Sequence, residues 1–242
     1  MRMSHSKSIN RPSAETLNGS VINVALRRRA MATCVTLIFL AGAGSSAAAD
    51  LSVMIVDREG RGVGEVVVTA TPVIANKAPA LKPAVMDQRN LAFAPRVLVV
   101  GVGTTVEFPN SDLVSHQVYS FSPAKRFQLP LYKGQIHPPI TFDRAGLVVL
   151  GCNIHDSMVG YIYVTDAAYF GTTESSGGLQ LKNIPAGDYR VTLWSPFVTD
   201  TPASLIRTVH IDGNAPATTR VQLSLALRSR PEPRPPRRDW DY

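Results

Sequence analysis

Gly151-Cys152-Asn153-Ile154-His155-Asp156-Ser157-Met158-Val159-Gly160 lies between two apolar β-type runs, residues 147–150 and 161–164. The Cys-x2-His-x2-Met spacing places a thiol, an imidazole and a thioether within seven residues. A sharp loop between adjacent strands turns all three toward one point. Soft sulfur donors beside imidazole suit an ion that cycles between Cu(I) and Cu(II). A fourth donor has to come from elsewhere, and His116 is the candidate. It follows Phe108-Pro109-Asn110-Ser111-Asp112 in a turn after another β-type run, from which it can lie against the loop. His116, Cys152 and His155 with a weak axial Met158 make a trigonal copper set.

Each of these residues has an ordinary explanation when taken alone. A single buried cysteine is usually packing, and one His or Met near a turn is unremarkable. The joint occurrence, with flanking glycines and strands, decides for metal. One Cys and two His would also satisfy zinc, but a thioether is better suited to copper. His137, in Gln135-Ile136-His137-Pro138-Pro139, and His210, in a late β-type run, lack partner spacing and are expected to be surface or structural histidines.

Working outward, 242 residues with 45% hydrophobic and 18% charged content are ordinary for a globular protein of one or two domains. The formal charge of +7 suggests a nucleic-acid or membrane partner until it is located. Arg27, Arg28 and Arg29 precede an apolar run over residues 30–40, and Ser46-Ala47-Ala48-Ala49 offers small residues before Asp50, the pattern of a secretory signal. The run is shorter than the roughly 20 residues that span a bilayer. The polar stretch 1–26 is long for a leader, as an extended n-region or an upstream start codon would be, and Arg28-Arg29 partly resembles a twin-arginine signal. Residues 1–49 hold six of the 25 Lys+Arg and one of the 18 Asp+Glu, which leaves 19 against 17, about +2, for the mature chain. Binding driven by phosphate neutralisation needs a concentrated basic face, so a nucleic-acid role loses its support. Cys34 is not placed for lipid attachment and leaves with the leader. Cys152 is then the only cysteine, without an internal disulfide partner, and a bound metal would protect it in an oxidising compartment.

Period-two apolar patterning runs through the rest of the chain, and no segment of helical length shows a 3.6-residue repeat, so the fold expected is all-β. Residues 51–56 and 63–70, either side of Asp57-Arg58-Glu59-Gly60, form a predicted hairpin. Residues 72–83, with three prolines, are a connection, and strands resume from residue 93 through the Cys152 loop. Residues 227–242, rich in Pro and Arg, are predicted to be a disordered tail.

Met86, Phe93-Ala94-Pro95, Val97-Leu98-Val99-Val100-Gly101, Thr105-Val106-Glu107-Phe108, Asn110, His116, Phe142, Gly146, Cys152, His155, Met158, Gly160, Ile162 and Val164 resemble the motifs of the cupredoxins, within them the plastocyanin and amicyanin group. The resemblance covers residues 84–165, about a third of the chain. It implies a Greek-key β-sandwich with His116, Cys152 and His155 as equatorial ligands, Met158 as axial ligand and one copper per chain. The chain is also similar to secreted proteins labelled methylamine utilisation proteins. One departure is Gln117, where the family usually has asparagine tying the ligand loops together, which bears on the redox potential. Residues 176–194 resemble the later half of a carboxypeptidase-regulatory-like or transthyretin-like β-module, and residues 50–75 its first half. The implied organisation is a leader (1–49), a half-module (50–75), a linker (76–83), the cupredoxin domain (84–165), a second half-module (166–226) and the tail (227–242). The cupredoxin is then inserted into, or fused to, a second small β-sandwich; a single extended cupredoxin with decorated ends is the alternative.

The function implied is one-electron transfer in the periplasm or outside the cell, between a redox donor and acceptor such as a c-type cytochrome or a dehydrogenase, without a substrate of its own. His155 would exchange electrons at the surface, with Ile154 and Val159 in a docking patch. A copper chaperone or store, or a structural envelope module with a vestigial site, are the alternatives. An enzyme is least expected, since a multicopper oxidase needs further histidine clusters and residues 50–242 contain four histidines. A nucleophilic Cys152 acting with His155 has no other supporting feature.

Overall fold

The computed structural model describes residues 48–74, 81–134, 137–198, 205–213 and 217–222. Among these there is no α-helix, and the fold is all-β as expected. In chain order the first strands are β1 (Ala48–Val56), β2 (Val67–Pro72), β3 (Ala84–Val85), β4 (Asp87–Arg89), β5 (Ala92–Ala94), β6 (Val97–Gly101), β7 (Thr104–Glu107), β8 (Tyr119–Ser122) and β9 (Lys125–Gln128). They continue with β10 (Ile140–Phe142), β11 (Gly146–Leu150), β12 (Gly160–Thr165), β13 (Tyr169–Thr172), β14 (Gly178–Pro185), β15 (Gly187–Trp194), β16 (Ile206–Ile211) and β17 (Ala217–Gln222). The expected leader, apart from Ala48 and Ala49 at the start of β1, lies outside the described residues, as do most of the 76–83 linker and the tail.

Two sheets, ordered β14-β1-β17 and β13-β2-β15-β16, enclose one core. Alternate residues of a strand point to one face, so Leu51, Val53 and Ile55 of β1 turn inward together and meet Val68, Ala70, Tyr189, Val191 and Leu193 of the opposite sheet. The predicted opening hairpin is not formed. Its turn exists: Asp57 Oδ1 accepts the Glu59 and Arg61 N–H groups at 3.0 and 2.8 Å, and Val56 bridges Gly62. Beyond that bridge the chain crosses to the other sheet, where β2 pairs with β13 and β15 rather than with β1. The physical reason is burial. Val63, Val66, Val67 and Val68 are all inside, and a hairpin with a solvated face would expose alternate members of that run.

Residues 84–165 hold a second core. Sheet β10-β7-β3 contributes Val106 and Phe142, and sheet β11-β12-β6 contributes Val100, Val148, Leu150, Ile162 and Val164. Gly160 is needed at the start of β12, because a Cβ there would sit 2.8 Å from the buried Phe93 ring. A small third cluster joins the two cores: Val67, Val97 and Phe197 are buried, and the Trp194 ring lies 6.0 Å from Tyr161 and 5.4 Å from Tyr163. No helix among the described residues is long and apolar enough to cross a membrane.

Candidate metal centre

His116 is placed by a loop folded on its own side chains. Asn110 Nδ2 donates to the carbonyls of Val114 at 3.0 Å and Tyr132 at 2.8 Å, while Asn110 Oδ1 accepts the Asp112 N–H at 3.0 Å. His116 and Tyr132 exchange backbone hydrogen bonds of 3.0 and 2.9 Å, which fixes the strand position carrying the imidazole. The ring is fully buried. Its Nε2 lies 2.8 Å from Asp112 Oδ2 and its Nδ1 3.9 Å from Cys152 Sγ.

Asp112 is itself held from a distant hairpin. Asn90 and Leu91, between β4 and β5, both adopt the left-handed conformation, with φ of 55° and 59°, as the two central residues of a type I′ turn must. Their N–H groups donate to the Asp112 carboxylate at 2.6 and 2.9 Å. Burial pushes the Asp112 carboxyl up, but the Leu91, His116 and Asn90 hydrogen bonds outweigh it and hold the group below the usual carboxylate range. It is therefore an anion at neutral pH.

The other three candidate residues lie on the loop between β11 and β12. Tyr119 and Gly151 exchange backbone bonds of 3.1 and 3.0 Å, so β8 meets the chain one residue before Cys152. The Met158 N–H donates to the His155 carbonyl at 2.9 Å and closes the loop. Cys152 and Met158 are buried in the same cluster. His155 is half-buried with its ring centroid 5.1 Å from that of His116. Burial, reinforced by the neighbouring His116 and opposed by Asp112, holds its imidazole below the usual histidine range. The ligating atoms of His116, Cys152 and His155 lie within 4.8 Å of one another. Metal–N and metal–S bonds of about 2.0–2.1 and 2.3 Å reach across the 3.9 Å between His116 Nδ1 and Cys152 Sγ. His155 Nδ1 is buried without a hydrogen-bond partner, a state that costs free energy unless something is bound there. These residues fit a metal ion.

The structure thus brings His116, Cys152 and His155 together, with Met158 in the same buried cluster. Gln117 Oε1 accepts from Asn153 Nδ2 at 2.5 Å, joining the residues that follow His116 and Cys152. His137 is half-buried, its ring 4.5 Å from Tyr132, and His210 is an exposed partner of Asp188 at 2.7 Å. The supporting residues Asp112, Asn90, Leu91 and Tyr132 escaped sequence reasoning. An acidic residue four positions before a candidate ligand was the available signal for Asp112; the hairpin that grips it left none.

No family model and no curated protein matches the chain. Among solved structures it is similar to the copper-containing nitrite reductase from Thermus scotoductus, at 31% identity over 39% of this chain and 25% of that one, with a TM-score of 0.33. An amicyanin variant in its reduced Cu(I) form is 25% identical over 40% of this chain and 99% of its own, TM-score 0.32. A purple cupredoxin from Nitrosopumilus maritimus is 25% identical over 35% of this chain and 100% of its own, TM-score 0.30. The chain thus spans a quarter of the nitrite reductase's length.

Proposed function

We propose that this chain is a type 1 copper protein that carries single electrons between redox partners in the periplasm or outside the cell, and that it is not an enzyme. The observation carrying this reading is the convergence of His116, Cys152 and His155 from two separate loops onto one partly buried point, with Met158 buried in the same core cluster as Cys152. His116 Nδ1, the Cys152 thiolate and His155 would hold the ion, with Met158 as the weak fourth donor. Bound there, copper supplies a one-electron couple. The protein's contribution is rigidity: Asp112 and the Tyr132 backbone hold His116, and the Tyr119–Gly151 pairing holds the approach to Cys152, so a change of valence requires little movement of the ligands.

The partner surface proposed surrounds His155. Ile154, Leu113 and Val114 are exposed apolar residues within three positions of a ligand, while Val159 is half-buried. Such a patch suits a brief encounter with a donor or acceptor such as a c-type cytochrome or a dehydrogenase. We also take residues 84–165 as a cupredoxin-type domain inserted into a β-module made of residues 50–75 and 166–226; the shared core of β1, β2, β14 and β15 supports this.

Adding one equivalent of Cu(II) is expected to give an intense blue thiolate-to-copper band and a narrow copper hyperfine splitting, both lost in Cys152→Ala. A colourless protein that binds only Cu(I) would instead support a chaperone or store, and one that binds no copper a structural module.

A further inference from the structure

β8 and β11 part beside the loop that carries Cys152. Among the described residues they pair at one bridge, Tyr119–Gly151, and two residues away the Val149 N–H donates to the Ser122 hydroxyl at 2.9 Å rather than to a β8 carbonyl. A groove of about 360 Å³ lies there, lined by Tyr119, Phe121, Val149, Leu150, Gly151 and Val159 together with Ser122, none of them charged. Phe121 is 70% exposed, and its ring lies 5.2 Å from that of Tyr119. The Tyr119 ring in turn covers Gly151, where a Cβ would come within 2.6 Å of it. An apolar surface therefore runs from Phe121 to the backbone that leads into Cys152. One exposed apolar side chain is ordinary, whereas a contiguous apolar patch with a polar rim marks a contact surface.

The end of the groove away from the loop is basic. Arg126 is the cross-strand partner of Phe121, so its side chain stands on the same face. It is exposed and makes no ion pair among the described residues. Lys125 neutralises Asp143 at 3.1 Å, and a Cβ on Gly146 would lie 3.0 Å from that of Ala124, so the exposed Arg144 sits at this end as well. Two guanidinium groups without a local counter-charge, next to an exposed phenyl ring, complement carboxylates set around an apolar contact.

We infer that this groove docks a redox protein whose contact area is apolar and ringed by carboxylates, with Phe121 as the anchor and Arg126 and Arg144 as the charge match. The redox character of that partner rests on the copper reading, and the docking face goes beyond it. It adds a surface on β8, β9 and β11 to the one around His155, so donor and acceptor need not compete for a single patch.

The test titrates the copper-free, 15N-labelled full chain with a purified c-type cytochrome of acidic surface. Amide shifts are expected to cluster at residues 119–122, 126 and 149–151. Phe121→Ser is expected to weaken binding about tenfold. Arg126→Glu is expected to weaken it about tenfold at about 0.01 M salt and to lose most of that difference at about 1 M, where the Debye length is about 3 Å. Both side chains are exposed, and unchanged amide spectra away from the groove confirm that the variants fold. Shifts confined to residues 113–114 and 154–156, equal affinity of wild type and both variants, or no binding at all overturns the docking face. The Cu(II) titration is read separately: a chain that docks the cytochrome at the groove but shows no blue band keeps the docking face and loses the copper reading.

Discussion

Tyr132→Phe tests how the scaffold behind His116 is held. The Tyr132 hydroxyl donates to the Phe108 carbonyl at 2.6 Å and accepts from the Gln88 side-chain amide, and the residue is 4% exposed. Removing the oxygen deprives a buried carbonyl of its donor, a loss of about 1–3 kcal/mol. Gln88 Nε2 keeps its bond to the Pro109 carbonyl at 3.1 Å, so the second loss is partial and the total expected is about 2 kcal/mol. Urea unfolding of the copper-free protein at pH 7 measures it. The pH dependence supplies an independent check. Burial, against the Gln88 hydrogen bond and with Asp87 nearby, pushes the Tyr132 phenol up to about 12 from 10.0. A raised folded pKa means that the folded state holds the phenolic proton more tightly. The stabilisation is then fully present below pH 10 and is lost as pH rises toward 12. Wild type should lose its advantage over Tyr132→Phe across that window. A difference below about 0.5 kcal/mol at pH 7, or one that stays constant through pH 12, refutes the buried hydrogen-bonded hydroxyl.

Two further substitutions probe the rest of the fold. Gly177 has φ of 83°, and a Cβ there would lie 2.1 Å from the Ile55 carbonyl oxygen; Gly177→Ala should cost about 3 kcal/mol and lower the melting temperature by about 6–12 °C, and a shift under about 2 °C would refute the close approach. Trp194→Ala removes the ring packed against Tyr161 and Tyr163, and scanning calorimetry should show the unfolding of the two cores separating into distinct transitions; a single unshifted peak refutes the idea that this cluster couples them.

The candidate ligands could be picked out along the chain because their signal is local and covalent. Cys-x2-His-x2-Met confines three donors to one loop whatever the rest of the chain does, and strand patterning on either side says that the loop is short. The β class was equally legible, since period-two burial in β1, β12 and β15 follows directly from the alternation of side chains along a strand. The predicted hairpin failed for the complementary reason. A turn at Asp57 is a local fact, but whether the strand after it returns beside β1 or crosses to another layer depends on which distant strands compete for its edges. Here β13 and β15 took β2, and β14 and β17 took β1.

The amino-acid sequence by itself determined the chemistry on offer at the centre: two imidazoles, one thiol and one thioether, with the spacing of three of them set by the chain. Only the tertiary structure decided that the His116 nitrogen facing Cys152 is Nδ1, with Nε2 against Asp112, and that Asp112 in turn receives backbone N–H groups of a left-handed turn at Asn90 and Leu91. Backbone donors carry no side-chain signature. Their direction follows from φ and ψ, and their target from how two loops pack, so neither is visible until the chain is folded.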